Sequence, residues 1–246
     1  MRTEIEIKTD DGTAPASVYR PSGKGPWPGV LMFMDGLGYR PAMFEVADKI
    51  AEHGYVVLLP DVFYRVGAYT PPDPKKLFTD EAVRGEWFKK MFGSVDQEKV
   101  MRDTRAYLDV LMSQPDVRGP HIGTTGYCMG AGFSLAAAGF FPERVAACAG
   151  FHPGRIATDE PTSPHKLAPK MKARIYIGGA SEDANFPDDM KQRLDDALTE
   201  AHLAHTVETY PARHGWVPTD TPVHDAVQAE RHYQALFALF DETLKA

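Results

Sequence analysis

The stretch that most constrains this chain is a joint. A run with strand character, residues 121–127, passes directly into residues 129–141, which are almost wholly small or apolar. The joint reads Gly126-Tyr127-Cys128-Met129-Gly130. This is the G-x-S-x-G pattern with Cys at its centre, in which a nucleophile sits on a sharp, strained turn between a strand and a helix. Glycines flank the turn because a side chain there would collide with the neighbouring strand and helix. Such a joint requires a helix buried against a sheet, so it demands layered α/β architecture. It also projects the central side chain past the sheet and turns helix N–H groups towards any oxyanion formed there. The same helix N-terminus favours thiolate over thiol.

The rest of the chain supplies those layers. Thr3–Lys8 and Ala14–Arg20 read as a strand pair joined at Asp10-Asp11-Gly12. A continuous apolar run at 29–35 and the segments 55–60, 145–151 and 173–179 suit buried strands covered on both faces, and 206–210 reads as a further strand. Helical spacing occupies 43–53, 78–92, 96–113, 188–203 and 222–245. The regular alternation predicts one α/β domain over 1–246, with a mostly parallel central sheet and helices on both faces. No internal repeat and no linker interrupts it.

Composition narrows the function classes. Lys and Arg number 27 against 34 Asp and Glu, a formal net charge of −7, and no basic face emerges. Nucleic acid is therefore not an expected partner. No apolar run approaches the roughly 20 residues that span a bilayer, so no membrane partner is expected either. The opening residues carry acids where a secretory signal needs a basic end, which makes a cytoplasmic protein the expectation. Two cysteines cannot build a disulfide framework or a C-x-x-C metal site, and Cys148 lies inside an apolar run as a core residue. No metal and no cofactor are expected. Nothing in the sequence decides between monomer and homodimer.

Thr125-Gly126-x-x-x-Gly130-x-Gly132 also fits a nucleotide-binding turn. That turn belongs near the first strand and needs a downstream Tyr-x-x-x-Lys, which none of the ten tyrosines provides. Cys128 could alternatively be a small core residue. A nucleophile at the elbow instead predicts an acid and then a histidine, each in a loop beyond a later strand. Asp183 and His214 each lie four residues past a strand end, in that order. His214 would take the thiol proton, and Asp183 would orient the imidazole and support its charge. Asp188 and Asp189 compete with Asp183, which could itself cap the following helix.

Gly-Tyr-Cys128-Met-Gly, Asp183 with Pro187 after it, Tyr-Pro-Ala-Arg-His214-Gly and the Leu59–Arg65 segment together resemble the dienelactone hydrolases. The resemblance covers nearly the whole chain, and its most specific element is Cys at the elbow. It implies an α/β-hydrolase fold and cleavage of a small lactone or carboxylic ester by a Cys-His-Asp triad through a thioester, without a cofactor. A binding protein on the same fold and a Cys-dependent acyl transferase are the alternatives.

In this fold the second oxyanion donor follows the strand ending at Asp35, so the N–H groups of Gly36 and Met129 are the candidates. The resemblance implies an acid at the start of that loop that poises the cysteine, and Asp35 occupies the position. The family also has an Arg four residues after its His, holding the lactone carboxylate; here that residue is Pro218. Arg213, Arg84, Arg65 and Arg155 are the replacements available. By position, Tyr64, Arg65, Arg84, His152, Phe186 and Trp216 are the expected pocket lining.

Overall fold

A computed structural model describes residues 1–245. Eight strands form one sheet: β1 (Arg2–Thr9), β2 (Gly12–Tyr19), β3 (Trp27–Phe33), β4 (Val56–Pro60), β5 (Val117–Tyr127), β6 (Val145–Phe151), β7 (Arg174–Glu182) and β8 (His205–Arg213). Their order is β1-β2-β4-β3-β5-β6-β7-β8. The hairpin β1–β2 and the β2–β4 pair are antiparallel, and every pairing from β4 to β8 is parallel. The expected mostly parallel sheet is thus present, with an antiparallel hairpin on one edge.

Seven α-helices accompany it: α1 (Pro41–Glu52), α2 (Pro74–Thr79), α3 (Glu81–Phe92), α4 (Gln97–Met112), α5 (Met129–Phe140), α6 (Asp188–Glu200) and α7 (Ala226–Leu244). Adjacent residues of β5 show how both faces are covered. A Cβ on Gly123 would meet Phe240 of α7, whereas the Thr124 hydroxyl accepts from Ser134 of α5 at 2.9 Å. Successive strand residues point to opposite faces, so α5 and α7 lie on opposite sides of the sheet. Strands sandwiched in this way have no polar face, and all five residues of β4 are buried.

The structure departs from the sequence reading in several places: β7 and β8 run on to Glu182 and Arg213, three residues past the expected ends, and three further differences stand out. The single helix expected over 78–92 is two, because Asp80 adopts extended backbone and its carboxylate caps α3, accepting from the N–H of Ala82 and Val83 at 3.0 and 3.1 Å. Strand β5 starts at Val117 rather than His121. Helix α7 starts at Ala226, capped by Asp225, rather than at residue 222.

Strand order reverses at the centre of the sheet. From β3 the chain builds outward to one side, and after β5 it builds to the other, leaving a crevice at their carboxyl ends. The loop after β3, the elbow after β5, and the loops after β7 and β8 all open there.

Candidate active site

Cys128 joins β5 to α5 with φ 55° and ψ −117°, a left-handed conformation rare for any residue but glycine. The surroundings hold it there. Its N–H donates to the Phe151 carbonyl at 3.1 Å, and its carbonyl accepts from Gly154 N–H at 3.1 Å. The flanking glycines are sterically obligatory. A Cβ on Gly126 would land on the backbone of Gly130, and one on Gly130 would land on the carbonyls of Met34 and Phe33. The turn is therefore backbone packed on backbone, and strain concentrated at such a position is a mark of functional sites.

Asp183 and His214 meet at this end of the sheet. His214 Nδ1 lies 2.7 Å from Asp183 Oδ2; the carboxylate is fully buried, while the imidazole is 23% exposed. The other carboxylate oxygen accepts from Asn185 N–H at 2.8 Å, which fixes its orientation. Of the competing acids, Asp188 pairs with Lys191 at 2.9 Å and points into solvent, and Asp189 is exposed on the first turn of α6. Burial alone would keep His214 neutral. The Cys128 sulfur and the Asp183 carboxylate beside it outweigh that and raise its pKa from 6.5 to about 10.

Cys128, Met129 and His214 line one cavity of about 820 Å³. Among the described residues, no hydrogen bond within the chain consumes the N–H of Gly36 or Met129. The Gly36 carbonyl accepts from the Trp87 indole at 2.9 Å, and the turn is closed by Leu37 N–H donating to Asp35 Oδ1 at 2.9 Å.

Several expectations are corrected here. Asp35 makes no hydrogen bond to Cys128 among the described residues. Arg40 takes both of its carboxylate oxygens, at 2.5 and 3.0 Å. Tyr64 and Arg65 do not line the cavity, because their short 3₁₀ turn, Tyr64–Val66, faces the β1–β2 turn and α4. Tyr64 binds Thr9 at 2.7 Å, and Arg65 bridges Asp11 and Asp103 at 2.7 and 2.8 Å. His152, Phe186 and Trp216 sit at the expected end of the sheet but are fully buried and do not line the cavity. The His152 ring packs 5.3 Å from His214 and 5.0 Å from Trp216, at φ 37°, and neither of its nitrogens has a partner. Burial, then the neighbouring His214, pushes its pKa well below 6.5, so it is neutral.

Of the six expected lining residues only Arg84 is there, together with Arg155 and Asn185. The largest part of the wall was not anticipated: Leu37, Leu77, Phe78, Phe88, Phe92 and Phe133. Arg213 turns away to Glu182 at 3.1 Å on the surface. Cys148 is buried and unbridged, as expected. Among the described residues no three His, Cys, Asp or Glu side chains are grouped to hold a metal ion, and no helix is long and apolar enough to cross a membrane.

A family model described as "Dienelactone hydrolase family" matches residues 14–244. A "Putative carboxymethylenebutenolidase" from Synechocystis sp. is 24% identical over 252 residues, covering 98% of this chain and 99% of that protein. Carboxymethylenebutenolidase from Pseudomonas putida is 28% identical over 148 residues, 59% of this chain and 60% of the relative. Among solved structures, the Klebsiella pneumoniae "Putative Dienelactone Hydrolase" superposes with a TM-score of 0.84 at 19% identity, covering 98% of both chains.

Proposed function

Because the chain belongs to the dienelactone hydrolase family, and is on that ground a lactone or carboxylic ester hydrolase of α/β-hydrolase fold, we propose that Cys128, His214 and Asp183 are its catalytic triad. The observation that carries this reading is the Asp183–His214 pair at 2.7 Å opening onto the same cavity as a cysteine in a strained elbow.

His214 is held through Nδ1 by Asp183, which leaves Nε2 for the sulfur. A proton moves from Cys128 to His214, and the thiolate attacks the ester carbonyl carbon, forming a C–S bond. The oxygen takes up the electron pair and is held by the N–H groups of Gly36 and Met129. Collapse of this intermediate breaks the C–O bond. The leaving alkoxide or enolate takes the proton from His214, and a thioester remains on Cys128. Water then gives a proton to His214 and adds to the thioester. The carboxylic acid departs and the sulfur leaves as thiolate. Asp183 stays ionised throughout and compensates the imidazolium. A small-molecule lactone of the dienelactone type is compatible with this chemistry.

Intact-protein mass spectrometry after mixing with an activated aryl ester tests the assignment. The expected result is a transient acyl adduct on the wild type, with free acid released, and no adduct on a folded Cys128→Ala variant. Undiminished turnover by Cys128→Ala would overturn it.

A further inference from the structure

We propose that the substrate of this site carries a bulky apolar group of aryl or medium-chain alkyl size, against which the cavity is built; this rests on the hydrolase reading of Cys128 and His214 above. A cavity of about 820 Å³ falls in the size range, roughly 300–1,000 Å³, of sites that enclose a drug-sized molecule. A single five-membered lactone would leave most of it filled with water against apolar walls.

Those walls reach the reaction centre itself. A Cβ on Gly36, the proposed oxyanion donor, would meet the ring edges of Phe92 and Phe88 at 2.9 and 3.3 Å. Phe88 and Phe92 stack with centroids 4.9 Å apart and planes at 19°, offering a flat aromatic face beside the carbonyl to be attacked. Phe133 of α5 and Ile156, after β6, line the same cavity. Apart from His214 at the reaction centre, its charged members are Arg155 and Glu160, both exposed, and half-buried Arg84, so an apolar group can lie along the walls without burying a further ion.

A second observation is independent of the cavity's size. Only five large hydrophobic residues are exposed among the described residues, and two of them, Phe78 at 38% and Phe92 at 41%, belong to this lining. Phe78 comes from α2, and Phe92 is the last residue of α3. Aromatic rings left in water along an open apolar cavity mark a surface that a ligand covers.

Two ester series test the proposal on the whole wild-type chain. One holds the leaving group at p-nitrophenol and lengthens the acyl chain from acetate to butyrate to hexanoate. The other holds the acyl group at acetate and enlarges the alcohol from ethyl to butyl to benzyl. The expected result is that kcat/KM rises in at least one series by roughly fourfold per methylene buried. Phe78→Ser should narrow the ratio of hexanoate to acetate, or of benzyl to ethyl. Flat or falling values in both series would overturn the proposal. Failure of the triad reading looks different: Cys128→Ala would then turn over esters with the length preference intact. If no ester is hydrolysed at all, methyl ketones of the same lengths give a separate readout. A melting temperature that climbs with chain length supports an apolar-substrate site, and one that ignores length overturns it.

Discussion

The Arg40 guanidinium grips the Asp35 carboxylate at both oxygens, and both side chains are 3% exposed. Its remaining edge does the same for Asp220, with Nε at 2.7 Å and Nη2 at 3.0 Å. Asp35 begins the turn that carries Gly36, and Asp220 lies in the loop that follows His214. One planar cation therefore ties together the two loops that flank Cys128, a geometry that a lysine cannot reproduce. Arg40→Gln leaves two carboxylates without their counter-ion, one of them buried, and should destabilise the protein by about 3–5 kcal/mol. The measurement is urea unfolding alongside ester kinetics. Arg40→Lys should recover part of the stability, yet retain a lowered kcat with little change in KM, since the loops are charged correctly but no longer clamped.

The elbow predicts a sharp contrast between two glycine substitutions. Gly130→Ala puts a methyl onto the carbonyls of Met34 and Phe33, which cannot retreat without breaking the end of β3. Loss of more than about 4 kcal/mol, or failure to accumulate as folded protein, is expected. Gly85→Ala sits in α3 with nothing near its Cβ position. It should raise stability by about 0.5–1 kcal/mol through helix propensity alone. Chemical denaturation of both variants checks the pair of predictions.

The residues legible in the sequence are those whose placement follows from chain-local rules. Gly126, Cys128 and Gly130 form one turn, and Asp183 and His214 sit just beyond strand ends, where a parallel sheet delivers them to a common edge. The partner of Asp35 is not legible because it is fixed by two contacts that no periodicity encodes: a turn closing on Arg40, and an ion pair from Arg40 to Asp220, 180 residues away. His152, Phe186 and Trp216 show a different limit. Strand periodicity tells which end of the sheet a residue reaches but not its depth, and all three are fully buried rather than in the cavity wall. The true wall, Phe78, Phe88 and Phe92, sits on helices that read as ordinary amphipathic segments, and the cap at Asp80 that splits them reorients their faces.

His214 should impose an alkaline limit on activity that depends on the leaving group. Burial opposes its protonation, but Cys128 and Asp183 carry its pKa to about 10. Below that pH the imidazolium can protonate a departing alkoxide; above it, it cannot. kcat/KM for an alkyl ester is therefore expected to fall above about pH 10, while a p-nitrophenyl ester, whose leaving group needs no proton, keeps its rate. Asp183→Asn removes one of the supports, so the limit should move to lower pH and kcat should drop. Coincident profiles for the two ester types would contradict the acid role of His214. Because the folded pKa is raised, His214 also adds stability that is complete below pH 6.5 and fades as the pH climbs to about 10.

The opposite sign applies to His232, at the heart of α7. It is fully buried; its Nδ1–H donates to the Ala229 carbonyl at 2.8 Å, which leaves Nε2 to accept from the Tyr127 hydroxyl at 3.0 Å. Burial among the rings of Phe151, Tyr127 and Tyr233 lowers its pKa from 6.5 to about 3. Between those values the unfolded chain binds a proton that the folded chain refuses. Stability must then decline as pH falls from 6.5 towards 3, by roughly 1.4 kcal/mol per pH unit for this one group. His152, also neutral and buried, acts in the same direction. His232→Gln abolishes the titration, at the cost of a poorer fit at pH 7. Urea unfolding at pH 7, 5.5 and 4.5 should therefore give a shallower decline for the variant than for the wild type, and the two stability curves should converge as the pH falls. Parallel curves would mean that His232 takes up its proton in the folded state, with Nε2 released from Tyr127.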